Sequence, residues 1–112
     1  MIVFNRTREQ VVALKVEKAD TAWKRAKGLL GRASLDKEEG LWIEPCSMVH
    51  TFFMRFPLDL VFVDRNLRVL RVQEDLEPWW FSSWVFGSRS VLELPAGALL
   101  GSVEIGDELE LR

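Results

Sequence analysis

The sequence predicts a mainly β fold: a compact antiparallel β-barrel or sandwich with one amphipathic α-helix in the N-terminal third. Three observations carry this. Short runs rich in β-branched and aromatic residues follow one another at close spacing along the chain. Single Gly, Pro, Asn and Asp residues punctuate them, with no linker, repeat or low-complexity stretch between. Only one segment shows helical spacing, and the absence of strand–helix–strand alternation argues against a Rossmann-type fold.

The elements follow in order. Val11–Val16 is a β-prone run in which Leu14 and Val16 alternate with Lys15 and Glu17, and Ile2-Val3-Phe4 is placed to pair with it. Asp20 or Thr21 is the expected N-cap of a helix over residues 22–30, with Ala22, Ala26, Leu29 and Leu30 on its apolar stripe. Gly28 inside that helix marks close packing, and Gly31 fits its left-handed end. The basic face of Lys24, Arg25 and Lys27 is expected to be solvated. Further strands are expected at residues 41–43, 48–54, 58–63, 67–72, 90–94 and 108–111, with one helical turn at 98–100. Asp64-Arg65-Asn66 is turn chemistry, so residues 58–72 read as a hairpin.

Composition bounds the function. The chain has 112 residues, a net charge of -2, 48% apolar and 29% charged residues, which is ordinary globular composition for one domain. One Cys excludes an internal disulfide, and with one His it excludes a Cys/His zinc finger. Slight acidity argues against nucleic acid. No apolar run reaches the ~20 residues of a membrane span. The first ten residues have no signal-peptide pattern, which predicts a cytoplasmic protein, or an exported one if a signal has been removed. No Walker A loop, dinucleotide fingerprint, Gly-x-Ser-x-Gly elbow or His-Glu-x-x-His motif is present, and no cofactor is expected.

Three stretches stand out together. They are Lys27-Gly28-Leu29-Leu30-Gly31-Arg32, His50-Thr51-Phe52-Phe53-Met54-Arg55-Phe56-Pro57-Leu58-Asp59-Leu60-Val61-Phe62-Val63-Asp64, and Val91-Leu92-Glu93-Leu94-Pro95-Ala96-Gly97 followed by Ile105-Gly106-Asp107. In this order they resemble the domain of unknown function 192, also called uncharacterised protein family 0127, over about residues 19–112. The resemblance implies a compact, mostly β domain, often preceded by an export or lipoprotein signal. It implies no established activity, substrate or catalytic residue. Pro45-Cys46 and His50 ahead of the central motif, and Trp80 beside Trp79 where a basic residue is common, depart from the pattern.

Four constellations could carry chemistry. Cys46 and His50 could form a nucleophile and base, but four residues of strand span about 13 Å, so the pair needs a bend at Pro45. In a regular strand Cys46, Met48, His50, Phe52 and Met54 would share one face and could line an apolar pocket with one polar handle. Arg55 and Asp59 could orient a polar ligand at a pocket mouth, or Asp59 could cap backbone amides, and Glu93 between Leu92 and Leu94 poses the same question. Ten of the twelve Trp and Phe residues lie between Trp42 and Phe86, five of them in Trp79–Phe86, which is either a lid or an exposed contact surface.

The sequence therefore predicts a non-enzymatic module that binds a small molecule or peptide. His50, Arg55 and Asp59 would be its polar contacts, and Met54, Trp79, Trp80 and Trp84 its apolar ones. The alternatives are a small enzyme using Cys46 and His50, and an interaction module or homodimer built on Trp79–Phe86.

Overall fold

The computed structural model describes residues 1–112, apart from the side chains of Ala22 and Ala26. The elements in chain order are β1 (Val3–Asn5), β2 (Gln10–Ala13), β3 (Lys15–Ala19), α1 (Ala22–Lys27), β4 (Glu39–Ile43), β5 (Leu58–Val63), β6 (Val69–Leu76), β7 (Ser90–Pro95) and β8 (Leu109–Leu111). They form two open sheets, a three-stranded one in the order β2-β1-β8 and a five-stranded one in the order β3-β4-β7-β5-β6. Among the described residues no sheet closes into a barrel.

Two features correct the expected all-antiparallel plan. The run over Val11–Val16 is broken at the exposed Leu14, so β2 joins the small sheet and β3 the large one. β3 and β4 then pair in parallel, Val16 opposite Gly40 and Ala19 opposite Ile43, with α1 in the connection between them. Parallel neighbours need such a crossover, so the chain does contain one strand–helix–strand unit.

The helix is also shorter than its sequence stripe suggests. Thr21 caps its start, its Oγ1 accepting the Lys24 N–H at 3.1 Å. Gly28 then adopts φ +48° and donates its N–H to the Lys24 carbonyl, which ends the helix. The chain continues as turns through Gly31, whose φ is +83°. Leu29 is buried, whereas Leu30 and Trp23 are exposed. The Ala22 and Ala26 part of the predicted stripe lies outside the described side chains.

The central strands β4, β7 and β5 of the large sheet are buried on both faces, while the edge strands β3 and β6 keep exposed residues. β5 alternates cleanly, with Val61 and Val63 facing the small sheet together with Val3, Val12, Trp42, Leu92 and Leu94. Leu58, Leu60 and Phe62 face the other side, where Leu29, Ile43, Val49, Met54 and Val91 cover them. Burying each such side chain contributes about 1.5–3 kcal/mol before entropy is subtracted. Gly40 lets β4 lie close to β7: a Cβ there would stand 2.7 Å from the Leu94 side chain and 3.0 Å from the Glu93 carbonyl oxygen. The β5–β6 hairpin forms as expected. Asp64 Oδ1 accepts the N–H groups of Asn66 and Arg68 at 2.8 and 3.0 Å and closes its turn.

The expected strand over 48–54 does not form. Only His50 makes a bridge, to Phe81, and Phe53 turns the chain at φ +65°. The cause lies in Thr51. Its N–H donates to the Trp80 carbonyl, its carbonyl accepts the Trp79 N–H, and its hydroxyl donates to the Glu77 carbonyl while accepting the Trp80 N–H. These bonds tie the loop to the aromatic segment instead of to a sheet. Residues 98–100 form a turn rather than a helical turn.

The two ends of the chain are fastened to each other. Ile2 and Arg112 exchange backbone hydrogen bonds, and β1 lies between β2 and β8. Buried Asn5 donates to the Ser102 carbonyl and to Asp107, whose Oδ2 also accepts from Arg8 Nε and the Glu104 N–H.

Candidate functional site

A cleft of about 590 Å³ opens on the outer face of the large sheet. Its floor is made by three adjacent strands through Ile43, Leu58 and Glu93. One wall is the end of α1 and the turn after it, which contribute Arg25, Lys27, Gly28 and Leu29. The other is the Pro45–His50 loop with Met54, and Trp84 and Ser88 come in from the following segment. The parallel β3–α1–β4 crossover puts the first wall in place. The hydrogen bonds from Ser82 and Val85 to the carbonyls of Val49 and Ser47 set the second.

Glu93 is the unusual group. Its side chain lies on the same face of β7 as Val91, two residues away, and β4 and β5 flank it on either side. It is only 5% exposed and finds no hydrogen-bond partner among the described residues. Burial alone pushes its carboxyl up to about 8. At neutral pH it is thus mostly a neutral acid, able to donate and to accept a hydrogen bond.

Cys46 and His50 both border the cleft, but no hydrogen bond joins them among the described residues. The Cys46 thiol donates to the Met48 carbonyl at 3.2 Å. Burial pushes it up, the nearby Glu93 charge adds to that, and the Met48 contact and Arg25 oppose it. This is the reverse of what activates a nucleophile. His50 is exposed, and its Nδ1 lies 3.4 Å from the Phe52 N–H that it accepts. Among the described residues no three His, Cys, Asp or Glu side chains gather as a metal site.

The other predicted contacts divide. Met54 is buried in the cleft wall, and Trp84 stands at its edge. Asp59 does not reach the cleft. It points to the opposite face of the sheet, is fully buried, and accepts the N–H groups of Asp75, Gly97 and Leu99 at 2.9, 3.0 and 3.4 Å. Exposed Arg55 forms no ion pair with it among the described residues. Trp79 packs outside the cleft on Phe53, ring centroids 4.6 Å apart, and Trp80 is exposed. No strand aligns 46, 48, 50, 52 and 54 on one face, yet Cys46, Met48, His50 and Met54 all border the cleft, and Phe52 does not.

Sequence reasoning raised Glu93 only as a carboxylate that could serve a pocket or the fold, and read Arg25 and Lys27 as a solvated face rather than as part of the site. The signal for Glu93 was present, because Val91, Leu92 and Leu94 leave its strand no polar alternation.

Residues 3–111 match the DUF192 family, described as "Uncharacterized ACR, COG1430". The chain belongs to that family. Among DUF192 relatives, a UPF0127 protein of Thermococcus sibiricus is 29% identical over 97% of this chain and 73% of its own length. A UPF0127 protein of Pyrococcus furiosus is 30% identical over 96% of each chain. A crystal structure of a protein of unknown function from Novosphingobium aromaticivorans superposes with TM-score 0.83 at 26% identity, covering 98% of this chain and 82% of that one. A Sinorhizobium meliloti structure, named for a proposed transcription regulator, superposes with TM-score 0.78 at 25% identity, covering 97% and 89%. The DUF192 match begins at residue 3 and so takes in the N-terminal hairpin, beyond the segment in which the motifs lie.

Proposed function

We propose that this DUF192 chain is a binding module that takes a small, apolar-bodied molecule in the cleft over Glu93. The observation that carries the reading is a buried carboxyl without a partner on the floor of an open, mostly apolar cleft. Glu93 keeps a sliver of accessible surface on the cleft, so an occupant can reach its carboxyl, and a hydrogen bond from that occupant offsets the desolvation of a largely buried polar group. Leu29, Ile43, Met54, Leu58 and Trp84 would hold the apolar body, and His50 and Cys46 would border it. A cytoplasmic setting, where a lone thiol stays reduced, suits this reading.

Cys46 is the single cysteine, so it reports occupancy. The test is its alkylation rate at pH 8 in the presence of apolar-bodied amines, acids, alcohols and short peptides. An occupant at about ten times its Kd should slow labelling roughly tenfold. A labelling rate that no compound changes overturns the reading.

A second reading has its own observation. Trp79, Trp80, Phe81, Trp84 and Phe86 are all more than half exposed, Phe86 reaching 85%. Rings gathered at this density suit a contact with another protein or with a second copy. Sedimentation that depends on concentration, and loses that dependence in Trp80→Ser, supports a homodimer; a monomer at every concentration removes it.

A further inference from the structure

We propose that the cleft takes a zwitterion with an apolar middle, its ammonium group seated inward on Glu93 and its anionic group outward at Arg25 and Lys27, as in an ω-amino acid. This rests on the cleft reading and adds the ligand's chemistry. The polarity of the cleft is what assigns it. The floor carries one acid with no partner among the described residues. The rim carries two bases, and neither forms an ion pair among the described residues. Arg25 makes only a 3.5 Å contact from its Nη1 to the Glu44 carbonyl. A simple amine would satisfy the floor but meet two like charges on the way in. A simple carboxylate would satisfy the rim but leave the floor unpaired. A molecule charged at both ends satisfies both, and the apolar walls between them fit its methylene chain.

Seating an ammonium on Glu93 requires the carboxyl to release its proton to solvent. Binding then strengthens as pH rises from about 6 to about 8, approaching tenfold per unit. The other ionisable groups facing the cleft are Arg25 and Lys27 from α1, and Cys46 and His50 from the opposite loop.

The experiment compares 6-aminohexanoate, hexylamine, hexanoate and hexanol by calorimetry and by protection of Cys46. In the unmodified protein 6-aminohexanoate should bind about tenfold or more tightly than each of the others. Glu93→Gln should erase the advantage of the amine and its pH dependence. Arg25→Gln with Lys27→Gln should erase the advantage of the carboxylate. His50→Gln should leave the pH slope in place. Hexanoate or hexanol binding as tightly as 6-aminohexanoate overturns the proposal, as does a ranking unchanged in Glu93→Gln. Protection by hexanol alone leaves the cleft reading standing and removes the zwitterion. Protection by none of the four removes both.

Discussion

Asp59 and Glu93 are buried carboxyls on adjacent strands, and they face opposite sides of one sheet. Asp59 holds three backbone amides, that of Asp75 near the end of β6 and those of Gly97 and Leu99 in the turns after β7. Asp59→Ala should therefore cost about 3 kcal/mol or more in urea unfolding, with the loss seen in the absence of any ligand. Glu93 holds nothing. Its folded-state pKa lies above its unfolded one, so the native state binds the extra proton and stability declines as pH rises from about 4.5 toward 8. The advantage of Glu93→Gln over the parent protein should therefore be smallest near pH 4, grow as pH rises, and level off above about pH 8. Parallel unfolding curves for the two proteins across that range would contradict the burial of this acid. Both carboxyls were visible in the sequence as acids between leucines. Their opposite roles were not, because the backbone amides that meet Asp59 come from residues up to 40 positions away.

At the level of elements, local chemistry was legible wherever it was also sufficient. The β5–β6 hairpin carries its own turn, and Thr21 its own cap, so both could be read directly. Residues 48–54 have the composition of a strand but the partners of a loop. What decides them is Thr51, whose hydroxyl lies between Glu77 and Trp80. Thr51→Val keeps the shape and removes that hydroxyl, so it should cost about 1–3 kcal/mol. It should also raise amide hydrogen exchange at Trp79, Trp80 and Ser82 before any change in the large sheet. Exchange that rises uniformly would mean that the loop and the sheet open as one unit. The cleft wall beside it is a loop for the same reason, tied to the following segment through Val49 and Ser47, and of the contact set inferred from alternation along 46–54 only Phe52 falls outside the cleft. The crossover that sets the other wall was hidden because Leu14 breaks one apolar run into two strands of different sheets.

Over the whole molecule, Asn5 and Arg8 of the small sheet's first hairpin hold Asp107 in the 102–107 loop, and that loop meets the large sheet through the backbone of Val69 in β6, which exchanges hydrogen bonds with Gly106 and Asp107. Burial opposes the charge on Asp107, but hydrogen bonds from Asn5, the Glu104 amide and Arg8 outweigh it and hold the carboxyl below its usual range. This contribution is fully present above about pH 4 and is lost as pH falls through the lowered folded value. Asp107→Asn should lower stability by about 1–3 kcal/mol at pH 7 and flatten the acid limb of the stability curve. An acid limb of unchanged slope would place the acid sensitivity elsewhere. The mainly β class, the single helix and most of the strand positions could be read from the chain itself. The division into two sheets could not, because it depends on pairing residues from opposite ends of the sequence.

That pairing also has a consequence in time. β1 finds β2 within the first thirteen residues, but its other side waits for residues 109–111. While a ribosome is still making the chain, the large sheet and its cleft can assemble, whereas one edge of β1 stays open until residues 109–111 have emerged. The strand is only three residues long, so through that interval it offers a neighbouring nascent chain very little to hold.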